Sequence, residues 1–479
     1  MGLKGHTVSK PINILSDEQV ERIHYATLDV LERTGVRFEN DKALEILEGA
    51  GCKVDHEKKI VRFPPGLVED CLRKTPSSFT LRARESKNDL RFGGNTLYFA
   101  PFAAQNKGDP DTGARARPTL KEAAEAYRLM DALDNIHFPF GGSWFDVEGV
   151  EPLMQFPTRT ATCIRNSSKG IAGVSYFDCE IWDIKLAEAT NQDVLGGVTS
   201  SPPLTWDGAV INATFRYLEK GFPIGLSGGQ NFGATSPVTI AGSLVTNNAE
   251  LISMIALIQL VKPGRGTLAG NYAQPLSMRS GLPLLGAIEK SIHGMAFAQL
   301  WRHYKIPSAT VGSTDAKLAD YQCGYEKAIS VILLSLAGFN SVWHGGGLYD
   351  ELTWSPVVML MDNDIFGMTA RVLRGIEVND ETLAVDVIDE VGPIPGHFLN
   401  RAHTRKWWKT EIFEPMLADR QPHPEWVESG SKNIVQRAKA KMAEILAKYE
   451  PTPLTKEQEK AVAEVLKEAE SYYGQLGMM

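Results

Sequence analysis

Along most of this chain, short apolar runs that close on glycine, aromatic or small polar residues alternate with amphipathic segments of helical period, the pattern of βα units. The runs lie at 97–103, 137–144, 170–176, 198–206, 222–228, 267–271, 309–313 and 341–345. Between them fall helical stretches at 120–133, 152–165, 181–189, 209–218, 238–260, 284–304 and 325–337, with 356–373 after the last. Eight strand-helix repeats predict an α/β fold, a TIM (β/α)8 barrel over residues 96–398. The fourth run carries Pro202 and Pro203 and the sixth is short, so the bounds of both can slide by several residues without loss of the barrel.

Residues 1–95 read as an N-terminal α+β subdomain. Ser16 stands three residues before Gln19 as a capping box, after which Val20, Ile23, Leu28 and Leu31 recur at helical spacing. Residues 399–479 form a C-terminal helical extension, with charged helical patterns at 434–448 and 455–473 separated by Pro451 and Pro453. These helices suit packing or oligomerisation arms, and a homo-oligomer is expected.

Composition removes several classes without touching the fold. At 479 residues, 43% hydrophobic and 23% charged, the chain is ordinary globular protein. Fifty basic against fifty-eight acidic side chains give a net charge of -8, which offers no footprint for a nucleic acid. Cys52, Cys71, Cys163, Cys179 and Cys323 are scattered without a C-x-x-C pair and read as reduced, buried thiols. The first ten residues lack an apolar leader core, and no stretch reads as a spanning helix, so a cytoplasmic protein with no membrane partner is expected.

A barrel of this kind carries its site at the carboxyl ends of the strands. The residues closing the runs are rich in rings: Phe99 and Phe102, Trp144 and Phe145, Tyr176 and Phe177, Trp206, Tyr272 and Trp343, with Gln230 and Asn231 after the fifth run. Rings converging on one point attract a desolvated cation through their quadrupoles, which points to a methylated amine; rings that seal the barrel top or stack on sugars are the other reading. His344, beside Gly345, Gly346 and Gly347, offers an imidazole to a carboxylate, or else braces a tight turn. Asp207 and Asp315 follow strands where a glycosidase pair would sit, and where helix caps also sit. His397 and His403 match no zinc spacing, and no metal site is expected. No G-x-G-x-x-G or P-loop occurs among the glycine clusters at 141–142, 228–229 and 345–347, which leave room for a large flat ligand.

Ser236-Pro237-Val238-Thr239 with Ala241-Gly242, Thr314-Asp315-Ala316-Lys317 followed by Asp320, Gln322 and Tyr325-Glu326-Lys327, Arg374-Gly375-Ile376-Glu377-Val378, and Gly396-His397-Phe398-Leu399 with His403-Thr404 span most of residues 230–410. In these motifs the chain resembles the trimethylamine methyltransferase superfamily of corrinoid-dependent methyltransferases, in particular its members without pyrrolysine.

The resemblance implies a TIM barrel that binds a methylated amine at its mouth and presents one methyl to Co(I) of a small, separate corrinoid protein. The chain has no D-x-H-x-x-G motif of its own, so the corrinoid is expected on a partner. Every residue is a standard one, which excludes the pyrrolysine route and favours a quaternary amine. Glycine betaine is the expected substrate, giving dimethylglycine; proline betaine, carnitine or a non-catalytic betaine-binding protein are the alternatives. The expected cage is Phe99, Phe102, Trp144, Tyr176 and Tyr272, with Gln230 and Asn231 as polar orienters and His344 as the carboxylate partner. Smaller residues are commoner in the family at the His344 position, so that departure bears on substrate choice. Thr314, Asp315 and Lys317 carry over from the motif at the end of the seventh strand. No side chain is expected to act as a general acid or nucleophile.

Overall fold

The computed structural model describes residues 5–139, 144–312, 314–349 and 352–476. Its centre is a curled sheet in which seven strands run parallel: β1 (Thr96–Pro101), β2 (Ile171–Ala172), β3 (Val194–Thr199), β4 (Ile224–Gly228), β5 (Thr267–Asn271), β6 (Ser308–Val311) and β7 (Ser341–Gly345). They are ordered β1-β7-β6-β5-β4-β3-β2, and the short strand His6–Thr7 pairs antiparallel with β1. On the same flank of β1, beyond this short strand, the His137 amide donates to the Phe99 carbonyl at 2.9 Å. Residues 140–143 of the predicted second strand, Gly141 and Gly142 among them, lie outside the described residues.

Helices follow the strands and cover one face of the sheet. Local chemistry sets their ends: Thr119 and Glu122 form a capping box for Leu120–Ala132, Asp320 accepts from the Cys323 amide at the start of Tyr321–Leu336, and Gly221 closes Gly208–Lys220. The Ser16–Gln19 capping box opens the helix Asp17–Arg33 as the spacing predicts.

The predicted fourth strand needs correction. The parallel strand is Val194–Thr199, four residues earlier, and Thr205–Trp206 pairs instead with Val36–Phe38 of the N-terminal sheet. Two glycines hide this strand from a hydrophobic reading, and close packing requires them: a Cβ on Gly196 would lie 2.5 Å from the Tyr217 ring, and one on Gly197 2.3 Å from the Gly173 carbonyl.

The helix Ile240–Val261 is long and apolar enough to cross a membrane, contrary to the sequence expectation, but 83% of its apolar window is buried inside the protein. The N-terminal helices Asp17–Arg33 and Pro65–Lys74 pack along it. The C-terminal helices Ile434–Lys448 and Lys456–Gln475 also pack on their own chain, burying Val435, Ala438, Val462 and Ala469 in the core shared by all three regions.

Behind the end of β7, a buried ion pair fixes the turn. Lys327 Nζ donates to Asp362 Oδ2 at 2.8 Å and to the His344 carbonyl at 3.0 Å, and Asp362 Oδ2 accepts from the Gly346 amide at 2.7 Å. Gly346 has φ +83°, and a Cβ there would fall 2.1 Å from Trp354 Nε1. Removing one charge leaves the other buried and unpaired. Asp362→Ala is therefore expected to lower stability by about 3–5 kcal/mol in urea unfolding, with much of the loss recovered by Lys327→Met/Asp362→Leu. A double variant no more stable than Asp362→Ala would refute the paired-charge account.

Candidate active site

Side chains alternate across each strand, so one face of the sheet lines the inside and the other meets the helices. Tyr98, Ala100, Leu195, Leu268, Val311 and Trp343 share the inner cluster, with Phe102 and Tyr272 packed on it at the carboxyl ends. Phe102 and Tyr272 have ring centroids 5.9 Å apart, Tyr272 and Trp343 5.8 Å, and both pairs are steeply tilted. Trp343 is fixed from below, its indole N–H donating to Ser341 Oγ at 2.8 Å and its ring meeting Phe138 edge-on. These three rings form a wall at the mouth.

A second ring group stands on the rim. Phe156 stacks with Phe145 at 6.5 Å and meets Tyr176 edge-on at 5.8 Å, and Tyr176 meets Phe177 at 4.4 Å. Tyr176 and Phe177 are exposed. The turn that carries them takes positive φ at two successive non-glycine residues, Phe177 at 48° and Asp178 at 60°. It is held from the C-terminal helix: Tyr473 Oη donates to the Phe177 carbonyl at 2.8 Å and Tyr472 Oη to Asp178 Oδ2 at 2.9 Å. Arg216 Nη1 donates to Asp178 Oδ1 at 2.7 Å.

Four of the residues expected at the cage lie elsewhere. Phe99 is on the outer face of β1, stacked parallel on Phe366 at 4.5 Å. His344 alternates with Trp343 and so faces the helices; its Nε2 meets Ser330 Oγ at 2.6 Å. Burial and the nearby Lys327 hold that imidazole neutral, well below its ordinary pKa, so it carries no charge for a carboxylate. Trp144 is buried in the outer core, donating to the Asn106 carbonyl at 2.9 Å and packing edge-on against Trp354. Gln230 is fully buried behind β4 with Nε2 on Glu250. Asn231 does reach the end of β4, where its Oδ1 accepts from Gln274 Nε2 at 3.2 Å.

The motif after β6 is a loop tied to itself. Thr314 Oγ1 and the Asp315 amide both donate to Glu326 Oε2, at 2.5 and 2.9 Å, Asp315 Oδ1 accepts from the Leu285 amide at 2.8 Å, and Lys317 Nζ returns to the Asp315 carbonyl and lies over the Tyr349 ring. Asp207 takes the Ser201 hydroxyl. Each aspartate of the glycosidase reading thus holds a local hydrogen bond. Among the described residues, no three His, Cys, Asp or Glu side chains converge as a metal site would need.

Sequence reasoning did not set Trp343 beside Tyr272 and Phe102, and it missed Phe156 on the rim and Glu250 as a loop anchor; Phe145 and Glu326 it named without these roles. Counting by twos from Tyr98 and Ala100 on β1, and from Ser341 on β7, finds the inward residues and rejects Phe99 and His344. No comparable signal marks the carboxylates.

The family described as trimethylamine methyltransferase (MTTB) matches residues 5–471. The chain is 31% identical over 472 residues to a trimethylamine methyltransferase of Desulfitobacterium hafniense strain DSM 10664, covering 96% of this chain and 94% of that one. It is 32% identical over 458 residues to the glycine betaine methyltransferase of Desulfitobacterium hafniense strain Y51, covering 93% and 94%. Among solved structures, the monomethylamine methyltransferase of Methanosarcina barkeri aligns over 97% of this chain and 96% of its own, with TM-score 0.50 and 14% identity, a likeness of fold.

Glu250 gathers three donors: Ser200 Oγ at 2.5 Å, Gln230 Nε2 at 2.6 Å and the Leu204 amide at 2.8 Å. It thereby ties the loops after β3 and β4 to the helix behind them. Burial nevertheless raises its carboxyl from 4.5 to about 7, the donors pulling back against that rise. Across that window the folded protein retains a proton that the unfolded chain has released. The contribution is therefore fully present below about pH 4.5 and lost as pH rises through about 7, a fall on the order of 3 kcal/mol. Urea unfolding at about pH 5 and about pH 7.5 should show a clearly larger fall in the wild type than in Glu250→Gln, where the raised Asp183 carboxyl still contributes; parallel pH profiles would count against it.

Proposed function

The chain belongs to the trimethylamine methyltransferase (MTTB) family, and from that premise we propose that it moves a methyl group from a quaternary amine, glycine betaine, to Co(I) of a separate corrinoid protein, leaving dimethylglycine. The observation that carries this reading is the wall of Phe102, Tyr272 and Trp343, with neighbouring centroids under 6 Å apart at the carboxyl ends of the strands. Ring faces suit a cation that donates no strong hydrogen bond. The glycine betaine methyltransferase relative, 32% identical, supports the choice of substrate.

The chemistry asks little of the protein. In a quaternary amine the methyl–nitrogen bond breaks heterolytically, the electron pair returns to nitrogen, and the amine leaves neutral without a proton. The Co(I) of the partner supplies the nucleophile. This chain's residues hold and aim: Tyr272 and Trp343 take the cation, Phe102 limits its movement, and the rings exclude water. Outside the wall, the exposed Tyr176, Phe177, Met278 and Leu282 offer an apolar rim suited to the flat face of a corrinoid. In the same reading the sheet closes into an eight-stranded barrel through residues 137–139, residues 1–95 and 399–479 are its appended subdomain and helices, and the enzyme works in the cytoplasm as a homo-oligomer.

Anaerobic mixing with the corrinoid protein or free cob(I)alamin, with betaines added singly, should bleach the Co(I) absorption band for glycine betaine. Transfer from proline betaine or carnitine alone would replace the substrate. Silence with every quaternary amine would leave a betaine-binding protein.

The cage makes a second prediction. A desolvated cation–π contact is worth about 2 kcal/mol, or about thirtyfold. Tyr272→Leu should raise the KM for glycine betaine by roughly that factor, and 3,3-dimethylbutanoate, the uncharged-carbon isostere, should compete more weakly than betaine by a similar one. Equal affinity for betaine and its isostere would show that the rings recognise shape and not charge.

A further inference from the structure

With His344 turned away from the mouth, the carboxylate of a betaine lacks its expected partner. Among the described residues, one buried cation under the rim rings has donors without an acceptor. Arg159 lies one turn into the helix Gln155–Asn166, is 5% exposed, and its Nε and Nη2 have no hydrogen-bond partner. Its guanidinium sits 4.9 Å over the ring of Phe156, the centre of the rim group that includes Phe145 and Tyr176. Asp183, whose charge Arg159 attracts from beyond hydrogen-bond reach, is committed to Thr160 Oγ1 at 2.6 Å and the Val174 amide at 3.1 Å. Lys290, the other buried cation of this end, donates to Gln274 Oε1 at 3.4 Å.

A buried guanidinium with two idle donors is costly unless an anion completes it, and its planar fork matches a carboxylate. We propose that Arg159 binds the carboxylate of the substrate, which makes this a site for zwitterionic quaternary amines in preference to simple cations. The proposal rests on the methyl-transfer reading above. It also supplies orientation: Arg159 attracts the carboxylate and repels the ammonium, so the methyl groups point away from the helix Gln155–Asn166 and toward the ring wall.

The test is calorimetric binding without cobalt, using glycine betaine and tetramethylammonium on the full chain. Arg159→Met should weaken glycine betaine about thirtyfold and leave tetramethylammonium unchanged or tighter. Arg159→Lys keeps the charge but loses the fork, and covers the case in which the methionine variant does not fold; it should weaken glycine betaine at least about fivefold with tetramethylammonium unchanged. Equal losses for both ligands, or unaltered betaine affinity in either folded variant, would overturn the proposal. A wild type that binds betaine yet transfers no methyl would overturn the methyl-transfer reading alone, and one that binds neither ligand would overturn both.

Discussion

Consecutive residues of a strand face opposite sides, and in a sheet with helices on one face and a ring-lined interior on the other, that alternation decides what each residue can do. Trp343 and His344 are covalent neighbours with opposite fates. The tryptophan stands in the mouth wall against Tyr272, and the histidine is sealed against Ser330 in a neutral state. The same rule sends Tyr98 and Ala100 inward and stacks Phe99 on Phe366.

What the inner face presents, the outer face holds. Polar groups behind the strand ends form a set of ties, each joining a loop at the carboxyl ends to a helix. Glu250 ties the loops after β3 and β4, Glu326 the loop after β6, and Lys327 with Asp362 the turn after β7. In each case backbone amides or carbonyls are among the partners, so the tie fixes the course of the chain. Rings can then be presented with few polar atoms of their own, because the geometry is set from outside the site.

Much of the fold was legible because βα repeats are written in periodicity. The strands at 267–271 and 341–345 and the helix at 434–448 coincide with their sequence bounds. The fourth strand was misplaced because Gly196 and Gly197 interrupt its hydrophobic run for the sake of close packing, while the apolar Thr205–Trp206 that mimicked it belongs to another sheet. The site was less legible. Composition marked the strand ends as aromatic, Phe102, Tyr176 and Tyr272 among them, but a ring at a strand end gives no sign of its face until the register is known. Arg159 was overlooked for a different reason: it sits inside a helix, where an arginine usually faces water, and only the packing of its neighbours leaves it without an acceptor.

The rim turn at Phe177 and Asp178 draws its support from Tyr472 and Tyr473, so two residues of strained backbone depend on partners 296 positions further along the chain in one case and 294 in the other. During synthesis the sheet and most of its helices leave the ribosome before that helix exists. The turn at Phe177 and Asp178 is therefore set after the sheet that carries it, and a nascent chain with its core nearly in place still has an unfinished rim.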